Sequence, residues 1–327
     1  MYGRNVAVTL SLVVPATDDP LTLADCLAAV ERTAGPPDEV LVVTDPAIGS
    51  ASAARNHGAQ RATSDVVVFV DADVVVHPDA FERIRAAFAA DPHLTAVHGS
   101  YDDAPRARST VSAFRNLLHH HVHQGAGGDA ETFWTGLGAV RRDAFTAAGG
   151  FDDVRYPDPS IEDIDLGQRL VAAGGRLRLD PAIQGTHLKR WTLRSMVHTD
   201  FARRAVPWIA LQIRTGHLAR TLNMGWRHRA SAVLCLLLPL VALLGPPVGA
   251  PAVSVALVGL NRGFYALLLR RLGLLHGALG VGLHWLHHLV AVAAVPVGVV
   301  VAVRAFRRSA PAVPRLTELP STGAVAP

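Results

Sequence analysis

Two stretches of this 327-residue chain, Ala230–Asn261 and Leu272–Val303, contain no Asp, Glu, Lys or Arg. As straight helices each would run about 48 Å at 1.5 Å per residue, against a hydrocarbon core of about 30 Å. The first is interrupted by Gly245-Pro246-Pro247, so it reads as a hairpin of two spans. Arg262, Arg270 and Arg271 would each cost about 2.5–3.5 kcal/mol at the bilayer centre, so they mark an aqueous return on the cytoplasmic side. The second stretch carries His276, His284, His287 and His288 in its first half, which leaves Leu289–Val303 as its lipid-facing part. Arg304, Arg307 and Arg308 also ask to lie inside, which an odd number of spans contradicts; two to four spans stay open.

Half of the residues are hydrophobic (50%), and the excess collects after Ala230, so a polar part precedes a lipid-embedded one. Between Gly185 and Ala230 nine Lys or Arg residues face one acid, Asp200. No aromatic-rich or zinc-finger pattern accompanies them, which argues against nucleic acid. Their position before the apolar stretches fits the cytoplasmic side of a bilayer, with Trp191–Arg220 as a helix lying on its surface. Cys26 and Cys235 fall in different parts, which fits a reducing compartment without a disulfide. The apolar run Val6–Val14 ends at Pro15 without a small-residue cleavage pattern and reads as a buried strand.

The first half alternates strand and helix patterns. Strands are predicted at Val6–Val14, Glu39–Thr44, Asp65–Val70 and Thr95–Ser100, and helices at Leu21–Thr33, Ser50–Ala62 and Pro78–Ala90. Continuous Val/Ile/Leu runs suit parallel strands covered on both faces, so the fold class is α/β with a mostly parallel sheet flanked by helices. Farther on, Arg106–His123 and Ile161–Ala173 read as helices and Thr135–Val140 and Arg176–Leu179 as strands. Ligands of such sheets lie beyond the carboxyl ends of the strands, which makes the polar residues there the ones to inspect.

Asp71-Ala72-Asp73 ends the strand Val66–Val70. Two such carboxylates would repel, and a hard cation, Mg²⁺ or Mn²⁺, relieves them while binding substrate phosphate oxygens. A surface turn rich in Asp is the alternative. Upstream, Gly49–Gly58 opens a helix with small residues plus Arg55 and Asn56, and Asp45 and Asp18 follow earlier strands. Together they suit a nucleoside diphosphate. Glu162-Asp163 begins a later helix; the pair either caps it or supplies the group that takes the proton of an acceptor hydroxyl. His119, His120, His121 and His123 offer helical metal spacing without an adjoining carboxylate motif, so they read as a polar helix near the acceptor cleft. Trp134 is open to two readings, a sugar-stacking platform or a core residue.

The order Pro15…Asp18, Asp45, Ala54-Arg55-Asn56-x-Gly58, Asp71-Ala72-Asp73, Gly149-Gly150-Phe151-Asp152 and Glu162-Asp163-x-Asp165-Leu166 resembles glycosyltransferase family 2 with the GT-A fold, over roughly residues 6–190. The resemblance implies a metal-dependent inverting transferase that uses a nucleotide-sugar donor. It implies that Asp45 meets the base with Arg55 and Asn56 beside it, that Asp71 reaches the ribose, that Asp73 holds the metal and that Asp163 is the base. The usual aromatic and Asn after the first strand's proline are Thr17 and Asp18 here. Membrane members that build polysaccharides carry Gln-x-x-Arg-Trp; here the stretch is His187-Leu188-Lys189-Arg190-Trp191. That weighs against processive synthesis and leaves Arg190 and Trp191 for acceptor or diphosphate contact, with His187 a possible metal ligand, as the corresponding His is in some GT-A enzymes.

The organisation expected is a catalytic domain over 1–190 (donor half 1–100, acceptor half 101–190), basic interfacial helices over 191–229, a transmembrane region over 230–308 and a disordered tail over 309–327. The acceptor is expected to be lipid-linked or membrane-associated, in the inner cell membrane. A nucleotidyltransferase would want a Gly-rich first loop that Pro15-Ala16-Thr17-Asp18 lacks; a non-catalytic membrane scaffold stays open.

Overall fold

The computed structural model describes residues 8–217 and 225–309. The tail over 310–327 and the end of the predicted 191–220 helix lie outside the described residues.

The strands β1 (Leu10–Pro15), β2 (Glu39–Val43) and β3 (Val66–Val70) pair in parallel, with β1 central. Every residue of β1 and β3 is buried, as continuous apolar runs require when helices cover both faces. Alternation divides them. Leu10, Leu12, Val14, Val66, Val68 and Val70 pack with α1 (Leu23–Glu31) and α3 (Ala80–Ala90), while Val13, Val67 and Phe69 pack under α2 (Ala51–Arg61) on the other face. Ser50 caps α2 by accepting from the Ala53 N–H (3.2 Å), which fixes where that helix starts beside the sheet edge.

Beyond β3 the sheet is mixed rather than mostly parallel. Its order is β2-β1-β3-β7-β5-β8-β4, with β6 (Gly128–Ala130) pairing β8. β7 (Leu137–Arg141) runs antiparallel between β3 and β5 (Leu94–Tyr101). Composition cannot report this, because a strand buried on both faces reads alike in either direction. The other addition is β4 (Val74–Val76), antiparallel to β8 (Arg176–His187).

β8 extends eight residues past its predicted end at Leu179. Pro181 suggests a break, but the register with β5 jumps between His98↔Leu179 and Ser100↔Gln184, so the extra residues bulge out and pairing resumes. This continuation carries His187 opposite Val74, next to the Asp71–Asp73 turn.

The acceptor half adds α4 (Thr110–Gln124), α5 (Arg142–Ala147) and α6 (Glu162–Ala172). Gly167 has a specific purpose: a Cβ there would lie 2.3 Å from the Phe133 nitrogen, so only glycine lets α6 lie against residues 132–133.

Residues 191–217 do not form one helix lying free on a surface. α7 (Leu193–His198) passes through a π-helical stretch, Thr199–Ala205, into α8 (Val206–Thr215). Buried Asp200 is the reason: it pairs with Arg115 of α4 (2.7 Å) and accepts from His287 (2.8 Å) of the last helix, which clamps the segment between the two parts.

Two helices, α9 (Trp226–Leu244) and α10 (Gly249–Ser309), are long and apolar enough to cross a membrane. Their break falls at Gly245–Val248, where the Gly-Pro-Pro motif predicts it. α10 kinks at Asn261 and reverses at Gly273 (φ 75°), a backbone conformation suited to glycine. A Cβ on Gly277 would touch the Leu269 backbone at 3.0 Å; residues eight apart meet only if the chain has doubled back. The turn is held at the sheet domain by Arg271, which pairs with Asp103. The first half of the final leg faces protein, with His276 bonded to Thr110 (2.7 Å), while Val295, Val297 and Val299–Val301 stand exposed.

Candidate active site

The carboxyl ends of β1, β3 and β8 meet at one edge of the sheet. The turn after β3 is closed by the Val74 N–H donating to the Asp71 carbonyl (2.9 Å), and Leu188 N–H donates to the Asp73 carbonyl (2.8 Å), which ties the end of β8 to it. Asp71 and Asp73 therefore sit side by side, but each has its own basic neighbour. Asp71 Oδ1 takes the Arg55 guanidinium at 2.6 Å, and Asp73 Oδ2 lies 3.5 Å from His187 Nε2. Burial pushes the Asp73 carboxyl up, but the His187 bond and charge and the Lys189 charge outweigh it and hold it below its ordinary range.

Arg55 joins the two acidic motifs. Only 4% exposed, it reaches from α2 to Asp71 and, at 3.1 Å, to Glu162 on α6. Burial works against its charge, and the two carboxylates overcome that. Glu162 is fully committed: its other oxygen accepts the Ser160 N–H at 2.7 Å.

Asp163, the next residue, has a different environment. Its Oδ2 is met by the Thr135 N–H and hydroxyl at 3.4 and 3.5 Å, and no arginine among the described residues pairs with it directly. Burial first, and the Glu162 charge second, push its carboxyl up to about 7, against Arg55 and the Thr135 amide. A carboxyl that titrates there is suited to exchanging a proton near neutrality.

Two cavities meet at this edge. An open groove of about 800 Å³ is lined by Pro15, Asp18, Arg55, Asp71, Asp73, Lys189 and Arg190. A second, of about 650 Å³, contains Trp134, Thr135, Glu162, Asp163, His187 and Trp191, and shares Arg55, Asp71, Asp73 and Lys189 with the groove. The second extends past Arg203 and Arg204 to Ala291, Val292 and Val295 of α10.

A divalent cation fits the shared wall. Asp73 Oδ2 and His187 Nε2 are 3.5 Å apart, close to the roughly 3 Å between adjacent ligands of an octahedral ion at about 2.1 Å. The Asp71 and Asp73 side chains are 30% and 26% exposed there, open to phosphate oxygens.

Some expected residues are elsewhere. Asp45 lines neither cavity; its carboxylate caps the short turn after β2 by accepting the Ala47 N–H at 2.9 Å. Asn56 is a structural clamp rather than a neighbour of the base. Its amide donates to the Phe151 carbonyl and accepts the Phe151 N–H, both at 2.9 Å, fixing the Gly149-Gly150 turn. Trp191 and Arg190 divide between the cavities: Trp191, largely buried with Lys189 4.8 Å over its ring, lines the second, and Arg190 lines the groove.

Others were not singled out from sequence. Lys189 lines both cavities. Tyr101, at the end of β5, stacks on His187 (4.2 Å, 10°) and meets Trp134 edge-on (4.8 Å). The α4 histidines complete that aromatic wall: His123 donates to the Gly99 carbonyl (2.9 Å), and burial holds its ring neutral, down to about 4. An aromatic or basic residue just past a strand end was the available signal for Tyr101 and Lys189.

Residues 7–202 match the profile of a family described as glycosyltransferase-like family 2. Over 171 residues, 49% of this chain, the sequence is 30% identical to a pre-mycofactocin glycosyltransferase of Mycobacterium tuberculosis, of which the match covers 34%. The chain thus spans about a third of the length of the curated relatives it matches. Solved structures that match include the mannosyltransferase PcManGT from Pyrobaculum calidifontis in complex with GDP-Man and Mn²⁺, at 16% identity, covering 90% of this chain and 87% of that one with a TM-score of 0.45. GalNAc-T7 with UDP, GalNAc and Mn²⁺ matches at 14% identity over 79% of this chain and 55% of that one, also with a TM-score of 0.45.

Proposed function

The chain belongs to glycosyltransferase-like family 2, and from that premise we propose that it moves a sugar from a nucleotide-sugar donor to a hydroxyl of a lipid-linked or membrane-associated acceptor, with inversion and with Mg²⁺ or Mn²⁺. The observation that carries the reading is the Arg55 bridge. One buried guanidinium ties the Asp71 turn to the Glu162-Asp163 helix start, so a carboxyl that titrates near neutrality borders the same cavity as the Asp71–Asp73 pair.

In this reading the groove past Pro15, Asp18 and Arg190 takes the nucleotide, and the diphosphate lies against Asp71 and Asp73. Asp73 with His187 and Asp71 would hold the cation, which when bound would stabilise charge on the departing diphosphate. Lys189 and Arg190 add to that field. The acceptor enters the second cavity between Trp134 and the basic residues of the π-helical stretch. Asp163 accepts the hydroxyl proton, the acceptor oxygen forms a bond to the anomeric carbon from the face opposite the leaving group, and the bond from that carbon to the diphosphate oxygen breaks. The nucleoside diphosphate leaves with the electron pair.

The catalytic domain is cytoplasmic and the apolar legs are multi-pass in the inner membrane, a reading supported by Arg270 and Arg271 at the Gly273 reversal and by the basic residues ahead of α9. The apolar wall from α10 supports a lipid-linked acceptor.

The test is release of nucleoside diphosphate by the full chain in detergent, with a panel of nucleotide-sugar donors, with and without Mn²⁺. Metal-dependent release that is lost in Asp73→Ala and in Asp163→Asn is expected. Equal rates in the three proteins refute the assignment.

A further inference from the structure

Behind the second cavity, where α9 meets the final leg of α10, three histidines converge. His284 and His288 are one helical turn apart and so share a face, and His228 comes from the start of α9. One ring nitrogen of each lies within 4.8 Å of the other two. We propose that these three imidazoles bind a transition-metal ion, Zn²⁺ by preference, at a site separate from the Asp71–Asp73 turn.

Two buried nitrogens need an explanation. His284 and His288 are 1% and 3% exposed, and the Nε2 atom of each has no hydrogen-bond partner among the described residues. Leaving a buried polar atom unpaired costs about 1–3 kcal/mol. Both rings also supply a nitrogen to the cluster beside the third imidazole, where a single cation can serve them together.

The remaining contacts favour a metal as well. His284 Nδ1 lies 3.3 Å from the Tyr265 hydroxyl. If Nδ1 carries the hydrogen and donates it there, Nε2 presents its lone pair to the cluster, which is how metal-bound histidines are commonly oriented. Nitrogen ligands at about 2.0–2.1 Å around a tetrahedral zinc lie about 3.4 Å apart, so the rings need a small inward movement. A donor set of imidazoles without carboxylates suits zinc, copper, iron or nickel rather than magnesium. It is therefore chemically distinct from the carboxylate pair at the sheet edge. His228 and His288 border the cavity, so the fourth position faces it and takes an oxygen ligand, as in sites with three protein ligands and one open position.

The site tests independently of the transfer reaction. Full-length protein in detergent is stripped with chelator, incubated with Zn²⁺ alone, desalted and assayed by mass spectrometry. Wild type is expected to retain about one equivalent, and the His284→Ala/His288→Ala double variant about a tenth or less. Asp73→Ala is expected to retain as much as wild type. Tyr265→Phe keeps all three ligands and is expected to bind zinc about 10–100-fold more weakly in competition with a chelating dye. Co²⁺ in place of Zn²⁺ is expected to give the visible ligand-field band of a tetrahedral site. A wild-type protein that retains no zinc after desalting overturns the proposal. So does a double variant that retains as much as wild type, or, where that variant does not fold, an unchanged affinity in Tyr265→Phe.

Discussion

The two cavities that share Arg55, Asp71, Asp73 and Lys189 are built in different ways. The groove past Pro15 and Asp18 is made largely from strand ends and helix starts, all within residues 15–190, and is fixed by the sheet. The cavity beyond Asp163 is assembled from α4, the 132–135 segment, α6, the π-helical stretch, α9 and α10, residues more than 150 positions apart. One side is a consequence of a regular sheet. The other exists only when the apolar legs are docked, so it depends on the few buried polar contacts that dock them.

Predictions follow from this contrast, taken from the largest expected effect to the smallest. Asp163→Asn keeps the shape of the assembled cavity and removes its proton acceptor; kcat is expected to fall by on the order of 10²–10⁴-fold with little change in donor KM. A small change in kcat would mean that the base lies on the groove side. Arg55→Met leaves Asp71 and Glu162 without their counter-charge, and breaking a buried pair costs about 3–5 kcal/mol, so thermal unfolding should shift down sharply. If stability is unchanged, the two sides are not coupled through that residue. Asp200→Asn removes the charge that Arg115 and His287 share, and a lost hydrogen bond to a charged group is worth about 1.5–3 kcal/mol. Limited proteolysis should then cut within residues 193–217 faster, while nucleotide protection of the groove persists.

The last two effects are finer. Asp163 needs to be ionised to act as base, so activity should rise with pH through a limb near 7, the value to which burial and Glu162 push it. Glu162→Gln removes the like charge, so the limb should move to lower pH; a limb that stays put would assign the titration elsewhere. Arg271→Gln breaks an ion pair that is 48% and 30% exposed on its two sides. Such pairs contribute about 0–1 kcal/mol, so this variant should melt almost as wild type does, in contrast to Asp200→Asn.

The same contrast decided what was readable in the sequence. β1 and β3 are unbroken apolar runs, and the Asp71-Ala72-Asp73 turn follows one of them directly, so element and motif announce each other. Arg55 was visible as a polar residue on α2, but its bond to Glu162, 107 positions away, was not. Asn56 was misread because nothing in a sequence distinguishes an amide that faces a ligand from one that clamps a turn. The antiparallel β7 and the continuation of β8 through Pro181 are tertiary outcomes, set by which neighbour each strand finds. Arg270 and Arg271 pointed to a break between the two apolar runs, and the backbone angle at Gly273 places the reversal there.

Ala291, Val292 and Val295 are among the last residues of the described chain, yet they close the cavity that holds Asp163. A ribosome delivers the sheet before this wall. A nascent chain can thus present the Asp71–Asp73 edge while its opposite chamber still lacks a side. For the proposed reaction, the chamber beside Asp163 is complete once the final leg has emerged and folded back.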